Sequence, residues 1–184
     1  SLLTWLRWAA RLGTGSPLRG PEIRGLVDTA PLRDTIRNAS AIVDGEIIGI
    51  GRNLEQERLK AIALITHNYS TGQTVTWVQG RNIRPWDQPQ RRSVHTRLGV
   101  DHVMASSALP LIFPAVRLGH SWYGDGGVRL SAPLSPALRL GASRVLAISA
   151  RYEPSMEEAG RPQIAGYPPP AQVLSHLLNA VFLD

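Results

Sequence analysis

The segment Gly124-Asp125-Gly126-Gly127 holds the residue types most able to do chemistry in this chain. Glycine on both sides of a carboxylate lets the backbone turn tightly and approach a neighbouring strand, so that the side chain is held at a cleft. A carboxylate presented in this way can accept a proton from a hydroxyl within hydrogen-bond reach. Taken alone, the tetrapeptide reads first as a plain turn, because Gly-rich turns are common. The five histidines, His67, His95, His102, His120 and His176, are scattered, and none pairs with another at metal-ligand spacing. No cysteine is present, which excludes disulfides, thiolate metal sites and a cysteine nucleophile. The residues therefore imply no metal and no cofactor. His102, on the approach to Ala105, is within range of a cleft, but a surface or capping role is the simpler reading.

The elements that would position Asp125 follow from periodicity and punctuation. Trp5, Leu6, Trp8, Ala9 and Leu12 recur at helical spacing, and the loop from Gly13 to Gly20 ends that pattern. Thr29-Ala30-Pro31 opens a short helix to about Arg37. Ala61 to Thr66 is an almost wholly apolar run and Thr74 to Val78 alternates Thr with apolar residues, which predicts two strands and a turn. The first reads as covered on both faces, the second as a more exposed neighbour, and residues 80–93 as an exposed loop. A helix is predicted from Val100 to Leu109, stopped by Pro110. Phe113 to Leu118 and Ser121 to Tyr123 form a hairpin around Gly119-His120 that runs into the Asp125 turn. A helix over about Ser135 to Leu140 and a strand over 144–149 come next, then a proline-rich excursion over 153–170 and an apolar helix from Val173 to Leu183. Strands interleaved with helices predict an α/β layered fold in one domain over residues 1–184, with the buried-type strands at 61–66 and 144–149 in one sheet and Asp125 on a loop at its edge.

Five segments together carry a resemblance. They are Ala105-Ser106-Ser107-Ala108-Leu109-Pro110, Phe113-Pro114, Tyr123-Gly124-Asp125-Gly126-Gly127-Val128, Pro133-Leu134, and Leu140-Gly141-Ala142-Ser143-Arg144-Val145-Leu146-Ala147-Ile148. In order and spacing they resemble the patatin-like phospholipases, and Asp28-Thr29-Ala30-Pro31-Leu32-Arg33 and the Ala61 to Val78 hairpin look like the upstream part of bacterial members. The resemblance implies a three-layer α/β/α patatin-like fold, a central sheet flanked by helices, incomplete here at both ends. It implies that Asp125 is the acidic partner of a Ser-Asp dyad, with Gly124, Gly126 and Gly127 as its active-site loop. A serine hydroxyl is a poor nucleophile until a base takes its proton, and a carboxylate can do so without an imidazole. Phospholipids or other acyl esters would be the substrates.

The family's nucleophile lies in Gly-x-Ser-x-Gly at a strand-to-helix elbow, with an oxyanion hole from a glycine-rich loop nearer the N-terminus. Neither is found in this sequence. Gly119-His120-Ser121-Trp122-Tyr123 places a tyrosine where the elbow needs glycine, and Gly15-Ser16-Pro17 removes the backbone N–H that would donate to the oxyanion. Ser106 and Ser107 read as small packing residues beside the aspartate loop. The chain is thus expected to be part of a patatin-like domain that lacks the upstream elbow, and both of its ends read as cuts within helical patterns. On that expectation the chain by itself is inactive. The alternative is a non-catalytic patatin-like relative that binds lipid or protein.

Composition sets outer limits. The formal net charge is +6, carried almost entirely by arginine, and the densest group is Arg81, Arg84, Arg91, Arg92 and Arg97. Arginine pairs well with phosphate, which makes peripheral contact with an anionic membrane surface an expectation. Nucleic acid is not expected as a partner, because no aromatic RNA-binding pattern, zinc finger or basic heptad helix accompanies the charge. No apolar run reaches the ~18 residues that a membrane span requires. A cytoplasmic or peripheral-membrane location fits, and oligomeric state is not legible. Trp77, Trp86 and Trp122 are candidates for a lipid interface or, more simply, for core and rim.

Overall fold

In the computed structural model, which describes residues 25–129, 133–148, 155–160 and 166–170 together with Gln172, Val173 and His176, the chain is built on a mixed six-stranded sheet with flanking helices. Helix α1 (Ala30–Ala39) carries Pro31 in its first turn, and its start is held by Asp28, whose Oδ1 accepts from the Ala30 amide at 2.9 Å. A small hairpin of β1 (Ile42–Val43) and β2 (Glu46–Ile47) turns at Asp44-Gly45, both at positive φ (51° and 82°), as a two-residue turn between right-twisted strands requires. Helix α2 (Ile48–Glu55) follows and buries Leu54.

The sheet grows outward from two strands. β3 (Ala61–Asn68) and β4 (Thr74–Gly80) are antiparallel, in a register that runs from Ala61 opposite Gly80 to His67 opposite Thr74. On one side β6 (Arg91–His95) lies parallel to β4 and β5 (Asp87–Gln88) closes the edge. Helix α3 (Val100–Ser106) then packs across β3 and the last two strands, burying Val100, Met104 and Ala105. Those strands are β7 (Val116–Leu118), at the outer edge, and β8 (Ser121–Asp125), which joins β3 only through Thr66, His67 and Asn68. The strand order is β5-β6-β4-β3-β8-β7. Short helices α4 (Ser135–Arg139) and α5 (Met156–Ala159) come after the sheet, the second begun by a reciprocal Ser155–Glu158 capping box.

Val75, Trp77, Leu98, Ala105 and Tyr123 form the core, with Ile62, Leu64, Val94, Val116 and Leu118 packed against it. Each such aliphatic side chain taken out of water contributes about 1.5–3 kcal/mol, so this cluster is the main force joining α3 to the sheet. Trp77 lies within it, its ring edge-on to Tyr123 at 5.3 Å and its Nε1 donating to the buried Thr66 Oγ1 at 2.8 Å. Trp77 is therefore core and does not face a lipid interface.

The central sheet with flanking helices matches the expected α/β/α patatin-like class. Several local expectations are corrected. Thr74 through Val78 of β4 are all buried, whereas Ala61 through Ile65 of β3 are only half-buried; β6 and β3 flank β4 along this whole stretch, while β8 reaches β3 only from Thr66 onward, and alternation of Thr with apolar residues does not decide it. The supposed loop over 80–93 holds β5 and the start of β6. Asp125 ends a strand one position in from the sheet edge and is not on an edge loop. The predicted strand over 144–149 does not form across its described residues: Val145 through Ile148 pair with no strand, and Leu146 and Ile148 are 86% and 89% exposed. An apolar run becomes a strand only beside a ladder partner, and no described strand lies alongside this one. The helices expected at residues 5–12 and over most of 173–183 lie outside the described residues.

Candidate active site

Asp125 is positioned by two elements at once. In register it stands opposite Thr66 of β3, and its amide donates to the Ala108 carbonyl at 2.9 Å, in the turn that follows α3. Its side chain is held locally: the Gly127 amide donates to Oδ1 at 2.8 Å, at the start of the 3₁₀ turn Gly126–Arg129. A hydrogen bond of this kind from a backbone amide fixes the carboxylate's direction and leaves its remaining lone pairs for another donor. The residue is half-buried, so the carboxylate is neither sealed in the core nor loose in solvent.

The neighbouring glycines are required by space. A β-carbon on Gly126 would stand 2.5 Å from the Ile65 carbonyl oxygen, and one on Gly124 would overlap the Tyr69 hydroxyl. The tight approach to a neighbouring strand expected of this segment is thus present, with β3 as that strand.

Tyr69 is the residue that sequence reasoning missed. It lies just beyond β3, its amide donates to the Trp122 carbonyl at 2.9 Å, and its phenol lies against Gly124, the residue before Asp125. Burial, reinforced by the negative charge of Asp125, pushes the Tyr69 hydroxyl above its ordinary value, so it stays a proton donor throughout the neutral range. The pairing of Thr66, His67 and Asn68 with Asp125, Gly124 and Tyr123 brings the two regions together, and no local pattern at Tyr69 announces it. His67, opposite Gly124, stands edge-on to Tyr69 at 5.7 Å.

The other candidates are distributed as structural parts. Ser107 Oγ donates within its own helix end, to Val103 O at 3.0 Å and to Met104 O at 3.3 Å, in the packing role expected of it. Ser106 closes α3, and Ser121 is a strand residue opposite Leu118, with no elbow around it. Ser16 lies outside the described residues. His102 caps α3: its Nδ1 accepts from the Gly99 amide at 3.2 Å, and its ring meets Trp77 edge-on at 5.0 Å. Burial lowers its pKa below the ordinary histidine value, an effect partly opposed by Asp101. Trp86 lies under Arg139 of α4, whose guanidinium carbon is 5.6 Å from the ring centroid, while Trp122 is 38% exposed. Among the described residues no group of His, Asp and Glu could hold a metal ion, and no helix is long and apolar enough to cross a membrane.

A half-buried carboxylate of fixed direction, flanked by closely packed glycines at the end of a strand, is suited to accept a proton. The family model described as patatin-like phospholipase matches residues 3–138, a range that includes the whole sheet, α3 and Asp125. No curated protein and no solved structure matches the chain.

Proposed function

The chain belongs to the patatin-like phospholipase family, and from that premise we propose that it is part of the catalytic domain of a serine lipid acyl hydrolase to which it supplies the carboxylate, Asp125. The observation that carries this reading is the fixed direction of that carboxylate, held by the Gly127 amide at 2.8 Å at the end of β8. The nucleophilic serine comes from outside these 184 residues, because no serine here stands in a Gly-x-Ser-x-Gly elbow. Asp125 takes the serine proton as the oxygen attacks the ester carbonyl, and returns it to the departing alcohol oxygen. Water then repeats the sequence on the acyl-enzyme: Asp125 accepts a water proton, and serine recovers it as fatty acid leaves. Trp122 of β8, Tyr69, whose amide bonds to it, and Leu111, in the turn beyond Ala108, are 38%, 42% and 47% exposed and add apolar surface.

Phospholipids are the proposed substrates, reached by peripheral contact with an anionic surface through exposed arginines such as Arg84 and Arg92. Labelling with a serine-directed phosphonate tests the division of labour. The full-length protein is expected to label and this chain is not; labelling of the isolated chain would place the nucleophile within it and overturn the proposal.

A further inference from the structure

Arg52, Arg81 and Arg97 come from three separate segments and line one cavity of about 470 Å³ with Glu46 and Glu55. Arg52 is in the last turn of α2, Arg81 follows β4, and Arg97 lies between β6 and α3. The backbone around the cavity is tied across all three: Ile47 N donates to Leu98 O at 3.0 Å, Leu98 N to Gln79 Oε1 at 2.8 Å, and Arg81 N to Lys60 O at 3.3 Å. The cavity is therefore framed by hydrogen-bonded structure.

Its charges are unequally satisfied. Arg97 is paired with Glu46 at 3.2 Å. Among the described residues, the guanidinium groups of Arg52 and Arg81 and the carboxylate of Glu55 form no ion pair. Two free guanidinium forks and one free carboxylate in a space of small-ligand size fit a zwitterion whose anionic end takes two planar donors and whose cationic end takes one acceptor. A run of phosphates would meet Glu46 and Glu55 instead, which disfavours a polyphosphate or a nucleic-acid backbone. The site is also remote from Asp125. Gln79, in its lining, stands opposite Ile62 and Asp125 opposite Thr66, a separation of roughly 13 Å along β3 at about 3.3 Å per residue.

We infer that this cavity binds a phosphate ester bearing an ammonium group, with Arg52 and Arg81 on the phosphate and Glu55 on the ammonium. The inference does not depend on any catalytic role for Asp125. O-phosphoethanolamine and inorganic phosphate are titrated separately into the chain and followed by calorimetry, with thermal melts confirming that each variant is folded. Saturable binding of O-phosphoethanolamine is expected, at least tenfold weaker in the Arg52→Gln/Arg81→Gln protein and unchanged in Arg92→Gln, which removes an exposed arginine outside the cavity. Glu55→Gln is expected to weaken O-phosphoethanolamine while leaving inorganic phosphate bound as well or better. Co-sedimentation with phosphatidylethanolamine vesicles that soluble O-phosphoethanolamine abolishes identifies a lipid headgroup as the source; binding of the soluble ester without vesicle binding identifies a free metabolite. The inference is overturned if O-phosphoethanolamine does not bind, or if it binds equally to the double arginine variant, or if Arg92→Gln weakens it as much.

Discussion

Gly126 passes so close to Ile65 that a β-carbon on it would stand 2.5 Å from the Ile65 carbonyl oxygen and 2.6 Å from its carbonyl carbon. Backbone cannot step aside as a side-chain tip can. Gly126→Ala is therefore expected to destabilise the fold by about 1–3 kcal/mol. Gly124→Ala is expected to cost less, because it collides with the partly exposed phenol of Tyr69, which can swing outward. Urea unfolding of the two variants checks the order.

Thr66 and Trp77 form a second testable pair. The Trp77 Nε1 proton has Thr66 Oγ1 as its buried acceptor at 2.8 Å. Thr66→Val preserves shape and strips that acceptor, leaving a desolvated donor, so a loss of about 1–3 kcal/mol is expected. Equilibrium unfolding followed by tryptophan fluorescence measures it.

His102 gives the fold a pH dependence with a definite sign. Burial lowers its pKa in the folded state, so the unfolded chain binds more protons between the lowered value and the ordinary one near 6.5. Stability contributed by neutral His102 is present above that ordinary value and is lost as pH falls through it toward the lowered one. Protonation also removes the Nδ1 acceptor that caps Gly99. Asp44, Glu46, Asp101, Arg97 and Arg117 share the cavity His102 lines, and they modulate the size of the effect without reversing its direction. His102→Gln keeps an acceptor at this capping position and cannot titrate. Melting temperatures from pH 7.5 to 5 are expected to fall less in the Gln variant than in the parent.

Much of this is legible in the sequence, for identifiable reasons. The close approach of the glycines beside Asp125, the Ala61 and Thr74 strands, the hairpin around Gly119-His120 and the starts of α1 and α3 each rest on local punctuation by glycine or proline or on apolar spacing. What escaped was non-local. Arg91 through His95 are polar enough to read as loop, yet they form a strand because β4 offers an open parallel edge. Val145 through Ile148 are apolar enough to read as strand, yet no described edge receives them. Tyr69 reaches the site only through the β3–β8 register, which no spacing within either segment encodes.

The exposed arginines yield a prediction about surfaces. Arg84, just before β5, and Arg92, within β6, are both exposed. Vesicle co-sedimentation is expected to be stronger on anionic than on neutral bilayers and to weaken with salt, because exposed charges are screened within about 10 Å at 0.1 M. Equal, salt-independent binding to both would count against the membrane role.

The most direct test of the proposed role of Asp125 is the acyl-ester turnover of Asp125→Asn in the full-length protein, measured beside its melting temperature. Asparagine keeps the Oδ1 acceptor for the Gly127 amide and removes the base. Turnover is expected to fall by about 10²–10⁴-fold with the melting temperature nearly unchanged. Full activity in the Asn variant would show that the proton goes elsewhere and that Asp125 is only the hinge of a turn.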